Sequence, residues 1–342
     1  MNSKPAFKVG IIGAGNIAQT AHIPGYLNYG QPVMVEALCS RSPERMQDAA
    51  DKFAIPHTFH SIDEMLSRCR LYAVSVCTPN AQHYEAVMKA LDAGCHVFCE
   101  KPPAFTARQA AAMADKAKEK GRVLAYNLPQ RQMPEIKVLK ALVDAGELGK
   151  VYHIKASFLR RRGIPGWGSF TNKEIQGGGA LIDIGIHILD LALHLCGYPA
   201  LKNALASTYD HLGKKGGKGD LGSWDGNTFT VEDACFAHLN FHGGISLTLE
   251  TSFALNTEPI RTFNLELFAT TAGATLSPFH VFTVDEGELT YKKIELRESG
   301  VDLQHQSVHR FLDACQGTVV NLCTAAEGAA LQEIIEEIYS RS

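Results

Sequence analysis

Lys8-Val9-Gly10-Ile11-Ile12-Gly13-Ala14-Gly15-Asn16-Ile17-Ala18 is the stretch whose reading decides the fold. An apolar, strand-like run passes straight into G-x-G-x-x-A, and a helical pattern follows as far as residue 28. In such a turn the first glycine permits the tight reversal and the second lets backbone N–H groups approach a pyrophosphate. The small residue after them lets helix and strand pack closely. The helix N-terminus then faces the phosphate charge. A glycine turn after a strand is common in isolation. Here the strand before it, the helix after it and a second strand ending at residue 39 supply the context of a dinucleotide site.

Outward from that turn, strand candidates at 7–12, 33–39, 72–77, 96–99 and 123–126 alternate with helical patterns at 16–28, 43–53, 62–68, 82–93 and 107–120. Alternation of this kind implies right-handed crossovers and a parallel sheet covered on both faces. Residues 1–126 therefore read as an α/β Rossmann NAD(P)-binding domain. From 127 the texture changes. A helix at 134–145, a strand at 151–159 and a long helix at 179–195 are followed by β-rich runs at 203–210, 231–241, 245–253, 262–270, 281–285 and 289–296. Strands in succession predict an α+β domain with an open, mainly antiparallel sheet over 127–342, closed by helices near 304–316 and 324–340. The Gly/Lys-rich residues 214–220 read as a mobile loop.

The chain has 342 residues, enough for two domains. Lys+Arg of 33 against Asp+Glu of 36 leaves a net charge of −3, so no basic excess is available to hold nucleic acid or an anionic membrane. No apolar stretch approaches the roughly 20 residues of a membrane helix, and Met1 to Pro5 lacks the apolar run of a signal peptide. The 9 scattered cysteines form no C-x-x-C pair, which fits reduced thiols in the cytoplasm. A small-molecule partner is expected.

The second strand ends in Cys39-Ser40-Arg41-Ser42, where NAD enzymes carry an acid for the ribose 2′-hydroxyl. Ser40 can donate to a 2′-phosphate and Arg41 can pair with its charge, which favours NADP over NAD. Glu36 stands too early in the strand to serve. Glu100-Lys101-Pro102 ends the fourth strand, at the carboxyl edge where open sheets bind ligands, so Lys101 is placed to reach the nicotinamide or a substrate oxygen. In Gly177-Gly178-Gly179-Ala180-Leu181-Ile182-Asp183-Ile184-Gly185-Ile186-His187-Ile188-Leu189-Asp190, a helix at about 100° per residue puts Asp183, His187, Asp190 and His194 in one stripe among Ile and Leu. Histidine suits proton transfer near neutral pH, and Asp183 one turn earlier can orient it. The same stripe also fits a buried pair tying two elements together. Asp and His at i, i+4 have ligand spacing too, but no third ligand cluster is evident, so no metal is expected.

Taken together, the glycine turn, Glu100-Lys101-Pro102 and the triple-glycine helix resemble the glucose–fructose oxidoreductase / inositol dehydrogenase / MocA family. Cys77-Thr78-Pro79-Asn80-x-x-His83, Asn127-x-x-x-Arg131, Gly146-Glu147-Leu148-Gly149 and Glu327-Gly328 with Ile338-Tyr339-Ser340 fit it as well, over nearly the whole chain. The resemblance implies an NAD(P)-dependent oxidoreductase acting on a sugar, polyol or related compound, with Lys101, Asp183 and His187 catalytic. It implies cofactor contacts from Gly13, Gly15, Asn16, Ile17, Ser40, Arg41, Thr78, Pro79, Asn80, His83, Glu100 and Lys101. His83 and His22 each also fit a packing or capping role. Arg161 and Trp167, in the loop Arg160-Arg161-Arg162-Gly163-Ile164-Pro165-Gly166-Trp167-Gly168, can bind an anionic group and stack on a sugar, alongside Lys101, Asp183 and His187. The arginines equally fit a solvated charge run. A homodimer or homotetramer through the C-terminal sheet is expected, because no helix obviously covers one of its faces. Two other readings share the cofactor turn: a glycosidase that uses NAD for transient oxidation, and a regulator that keeps the site without chemistry.

Overall fold

The computed structural model describes residues 7–294, 296, 300 and 302–342. Two compact units emerge. One holds the chain up to Gln132 together with a return segment ending at Gln332; the other runs from Met133 to Gly300 and adds Glu333–Ser342.

In the first unit, β1 (Phe7–Ile12), β2 (Val33–Cys39), β3 (His57–Phe59), β4 (Ala73–Val76), β5 (His96–Glu100) and β6 (Leu124–Asn127) form a parallel sheet in the order β3-β2-β1-β4-β5-β6. Helices cover both faces, which is why Val9, Ile11, Val74, Val97 and Phe98 can all be buried in near-continuous apolar strands. Helix Ala107–Lys120 shows how locally these elements are specified. Thr106 accepts from the Gln109 amide at its start, and Gly121 closes it at φ 59°, a left-handed conformation. The order reverses between β1 and β4, where open sheets hold their ligands.

The return segment corrects the single boundary expected after residue 126. Helix Leu303–Cys315 packs into the first unit, where Phe311 stacks on Phe98 at 5.0 Å and Val308 joins the same core. Cys323–Thr324 then adds an antiparallel edge to β6. Arg131, 1% exposed, donates to the Leu322 carbonyl at 2.7 Å and pairs with Glu327 at 3.1 Å. An apolar helix face and a buried guanidinium both need interior partners, and sequence order does not dictate which unit supplies them.

In the second unit β7 (Val151–Arg160), β8 (Leu201–Tyr209), β9 (Gly217–Gly219), β10 (Gly222–Trp224), β11 (Ala234–Phe241), β12 (Ser246–Ser252), β13 (Arg261–Ala269), β14 (Gly273–Leu276), β15 (Phe279–Asp285) and β16 (Glu288–Lys292) follow in turn. Eight of them form a sheet in the order β16-β15-β14-β13-β7-β12-β11-β8, antiparallel except where β7 meets β12. The run expected at 289–296 ends at Lys292, and its residue 295 lies outside the described residues. The loop expected at 214–220 is instead a 3-10 turn and the β9–β10 hairpin, pinned where the Asp220 amide donates to the Arg162 carbonyl at 2.9 Å. One helical run, Lys173–Leu195, is long and apolar enough to cross a membrane by length and composition, contrary to the expectation that no stretch is. Its apolar window is 89% buried inside the protein, the environment of a core helix.

Candidate active site

At the β1–β4 reversal, Gly13 sits at φ 101°, and a Cβ there would lie 2.6 Å from the Cys77 carbonyl oxygen. The loop after β4 thus packs directly on the glycine turn and brings Thr78, Pro79 and Asn80 beside it. Over Gly15 nothing lies within 4 Å of a Cβ position, so that side of the turn is open. Asn16 is exposed and Ile17 half-buried, and the helix opens as a π turn at Ala18–His22 before Ile23–Leu27. At the end of β2 the Ser40 hydroxyl accepts from the Ser42 amide at 3.3 Å, and Arg41 is exposed. Glu36 cannot stand in for the missing acid, because its carboxylate is taken by Lys8 at 3.0 Å. His60 donates through Nδ1 to the Ser40 carbonyl at 3.2 Å. The sequence reading missed this neighbour because β3, three residues long, carries no periodicity.

Lys101 leaves the end of β5 half-buried, with both neighbours held. On one side Glu100 accepts from His22 Nε2 at 2.8 Å and Asn127 Nδ2 at 2.7 Å, and Asn127 also reaches Gln304 at 2.8 Å. Burial pushes the Glu100 carboxyl up. The contact with His22 first, then the Asn127 hydrogen bond and the charge of Lys101, outweigh that, leaving it below its ordinary range. On the other side the wholly buried His83 faces the Pro102 carbonyl at 2.8 Å and the Thr78 carbonyl at 2.9 Å. Burial draws the His83 pKa down. Glu100 and His83, expected to touch cofactor, are therefore engaged inside the protein as braces, one on each flank of Lys101. Their ring and carboxyl groups satisfy backbone and side-chain partners that would otherwise be orphaned.

In the second unit the triple glycine has a packing cause. A Cβ on Gly178 would fall 2.1 Å from the Tyr339 hydroxyl, and one on Gly179 would fall 2.0 Å from the Glu232 carbonyl. The Glu232 carboxylate accepts from the Gly179 amide at 2.8 Å, the Leu181 amide at 2.9 Å and the Tyr339 hydroxyl at 2.8 Å. It caps the helix with a negative charge at the positive end of the dipole, although burial still raises its pKa. Neither Glu232 nor Tyr339 is visible as a site residue in the sequence, since they lie far from the helix they hold.

That helix begins as a π turn at Leu181–Gly185 and becomes α at Ile186–Leu195. An i→i+5 turn advances less per residue than an α turn, so the even 100° spacing assumed for the stripe does not hold through Asp183. Asp183 and His187 remain half-buried. Asp190 is wholly buried and receives the Tyr198 hydroxyl, a structural bond. Among the described residues, no group of three His, Cys, Asp or Glu side chains is arranged to hold a metal ion.

The three arginines from the last residue of β7 onward separate. Arg160 lies over the Phe158 ring at 5.3 Å, with Arg261 on the same ring at 4.9 Å. Burial lowers its pKa, the Asp183 carboxylate opposes that shift, and Arg261 adds to it. Arg161 is exposed and donates to the Glu258 carbonyl at 3.0 Å, while Arg162 donates to the Leu255 carbonyl at 2.9 Å. Arg160 is thus the arginine whose charge interacts with Asp183. Trp167 is 55% exposed, on a loop tied to the hairpin where the Gly166 amide donates to the Leu221 carbonyl at 2.8 Å.

Residues 7–128 match the model of an oxidoreductase family with an NAD-binding Rossmann fold, and residues 136–275 match the GFO/IDH/MocA C-terminal domain. D-glucoside 3-dehydrogenase of Escherichia coli (strain K12) is 41% identical over 340 residues, which span 99% of this chain and 96% of that protein. The scyllo-inositol 2-dehydrogenase (NADP(+)) of Bacillus subtilis (strain 168) is 31% identical over 192 residues, 56% of this chain and 55% of that one. A solved structure of levoglucosan dehydrogenase in complex with NADH has the same fold, with a TM-score of 0.83 at 20% identity over 98% of this chain and 97% of that chain.

Proposed function

The chain belongs to the GFO/IDH/MocA oxidoreductases and is an NAD(P)-dependent enzyme acting on CH–OH groups; from that premise we propose that it oxidises a ring hydroxyl of a glucoside. The observation that carries this reading is Lys101, braced on both flanks at the carboxyl edge of the nucleotide sheet. The glucoside comes from the 41% identical relative.

The turn fits a dinucleotide, because the Cys77 carbonyl fills the space a side chain at Gly13 would need while the space over Gly15 stays open. Gly13, Gly15, Asn16, Ile17, Thr78, Pro79 and Asn80 would line it. When bound, the nicotinamide supplies the hydride acceptor for oxidation and the donor for reduction. The protein supplies position and charge. His187 takes the hydroxyl proton as the carbinol C–H and O–H bonds give way to a carbonyl. Lys101 donates to a substrate oxygen and stabilises developing negative charge. Asp183 holds a neighbouring hydroxyl or the imidazole, and Trp167 offers a face for a sugar ring.

NADP is the preferred cofactor. The acid that would favour NAD is missing from Ser40-Arg41-Ser42, Glu36 is engaged by Lys8, and His60 stands beside Ser40. The cysteines, all free thiols, favour a reducing compartment such as the cytoplasm. The solvent-facing side of the second sheet supports a homo-oligomer.

The test is oxidation of methyl β-glucoside, glucose and inositols with NADP+ and with NAD+, followed at the nicotinamide absorbance. Faster glucoside turnover with NADP+ bears the reading out. Failure to reduce either cofactor with any sugar overturns it, and release of an aryl aglycone without net cofactor reduction replaces it with the transient-oxidation glycosidase.

A further inference from the structure

Behind Lys101 lies a row of buried polar groups that the proposed chemistry does not use. Tyr26 and His22 are wholly buried, and Ser75 lies between them. The Tyr26 hydroxyl meets Ser75 Oγ at 2.8 Å, Ser75 Oγ meets His22 Nδ1 at 2.9 Å, and His22 Nε2 meets Glu100 Oε1 at 2.8 Å. Counting hydrogens decides their direction. If Tyr26 donates to Ser75, Ser75 to His22 Nδ1 and His22 Nε2–H to Glu100, three hydrogens fill three contacts and none is left over. A second proton on His22 would make four hydrogens for three contacts and orphan a buried donor, a costly state. A single proton on Nδ1 would aim the Nε2 lone pair at the Glu100 carboxylate.

We propose that Tyr26, Ser75 and His22 form a one-way hydrogen-bond relay that keeps His22 neutral and fixes Glu100 as an ionised counter-charge that positions Lys101. The proposal rests on the role given to Lys101 above. A neutral His22 anchors the Glu100 carboxylate without cancelling its charge, so the negative charge stays available to the ammonium one residue on. Asn127, itself held by Gln304, adds a second neutral donor to the same oxygen. The other titratable groups that feel Glu100 are His83, Cys77 and Cys99. Burial drives the His83 pKa down against its two carbonyl contacts and drives both thiol values up, and Lys101 is the cation next to Glu100 in the chain. These are positioning residues: Glu100 acts through Lys101, and the relay acts through Glu100.

Two measurements on the full-length protein test it. Nitrogen-labelled histidine NMR reads the His22 tautomer without substrate. A neutral ring protonated at Nε2 is expected, and a cationic ring or an Nδ1-protonated one overturns the relay. The second measurement is the pH profile of kcat/KM with a glucoside, beside NADPH affinity by fluorescence. Glu100→Gln should lower the alkaline limb by about one pH unit or more, the effect of removing an adjacent opposite charge, with NADPH affinity within about twofold of wild type. Ser75→Ala should lower it by less, and Ser75→Thr, which keeps the hydroxyl, should restore it. An unmoved limb in Glu100→Gln, or NADPH binding lost in step with activity, overturns the positioning role. The two readings fail separately, since absence of dehydrogenase turnover in the wild type refutes the function, whereas a wrong tautomer refutes the relay.

Discussion

Replacing His187 by asparagine removes the proton acceptor but keeps a polar side chain of similar reach, and so separates chemistry from binding. Under the proposed mechanism His187→Asn and Lys101→Ala should each lower kcat by about 10²-fold or more while NADPH affinity holds. Wild-type turnover in His187→Asn would assign the base elsewhere. Arg41 tests the cofactor instead of the reaction. A charge-assisted bond to a 2′-phosphate contributes about 1.5–3 kcal/mol, so Arg41→Ala should cut kcat/KM for NADP by about tenfold and leave NAD little changed. Equal effects on the two cofactors would make Arg41 a surface charge, which its exposure also allows. Residues such as Lys101, Asp183 and His187 stand out in sequence as candidates because of their residue type and their place at the end of a strand or on an apolar helix. For Glu100 and His83 the partners inside the protein were not read. Their partners are His22 and the Pro102 carbonyl, set by tertiary contact and carried by no local pattern.

At the scale of elements, legibility followed length. Helices Pro43–Phe53, Ile62–Arg68 and Ala107–Lys120 stand where their apolar spacing and caps put them. The short β3 and β14 and the β9–β10 hairpin offer too few alternations to register. The candidate catalytic helix was found, but its π turn was not, because its start is clamped by Glu232 and Tyr339 from distant parts of the chain. That clamp has a pH signature. Burial raises the Glu232 pKa above its ordinary value, so the folded state holds this proton more readily than the unfolded chain does. Its contribution to stability is therefore fully present below the ordinary carboxylate range, and it is lost as pH rises through the raised folded value. Glu232→Gln lacks this titration. The wild type's thermal stability relative to the variant should accordingly be greatest near pH 4 and shrink as the buffer approaches neutrality. A difference that grows with pH would mean that the three hydrogen bonds to the carboxylate dominate its burial.

For the whole molecule, the parallel and antiparallel halves were both readable from the spacing of strands and helices. The return of helix Leu303–Cys315 to the first unit was not, since its apolar face fits any core of matching shape. What sequence order does suggest is a sheet with one face left over, and the structure gives that face its residues. Across it run Tyr291, Phe282, Gly273, Phe268 and His153 in one paired row, with Leu205 and His238 paired in the next. Leu205 is 74% exposed and Tyr291 57% exposed, although the alternate positions Leu247, Leu249, Leu265 and Leu267 are buried. A paired row that leaves aromatic side chains in water offers apolar area that a second copy of the chain can bury. A two-fold partner would set the same row against itself, so a charge introduced there is met by its own copy. Sedimentation of the wild type at micromolar concentration should accordingly show a dimer or tetramer. Phe268→Asp, which places like charges opposite each other across the two-fold axis, should shift the species toward monomer while each subunit stays folded by circular dichroism. A wild-type monomer, or a Phe268→Asp variant that sediments with the wild type, would move the assembly off this face.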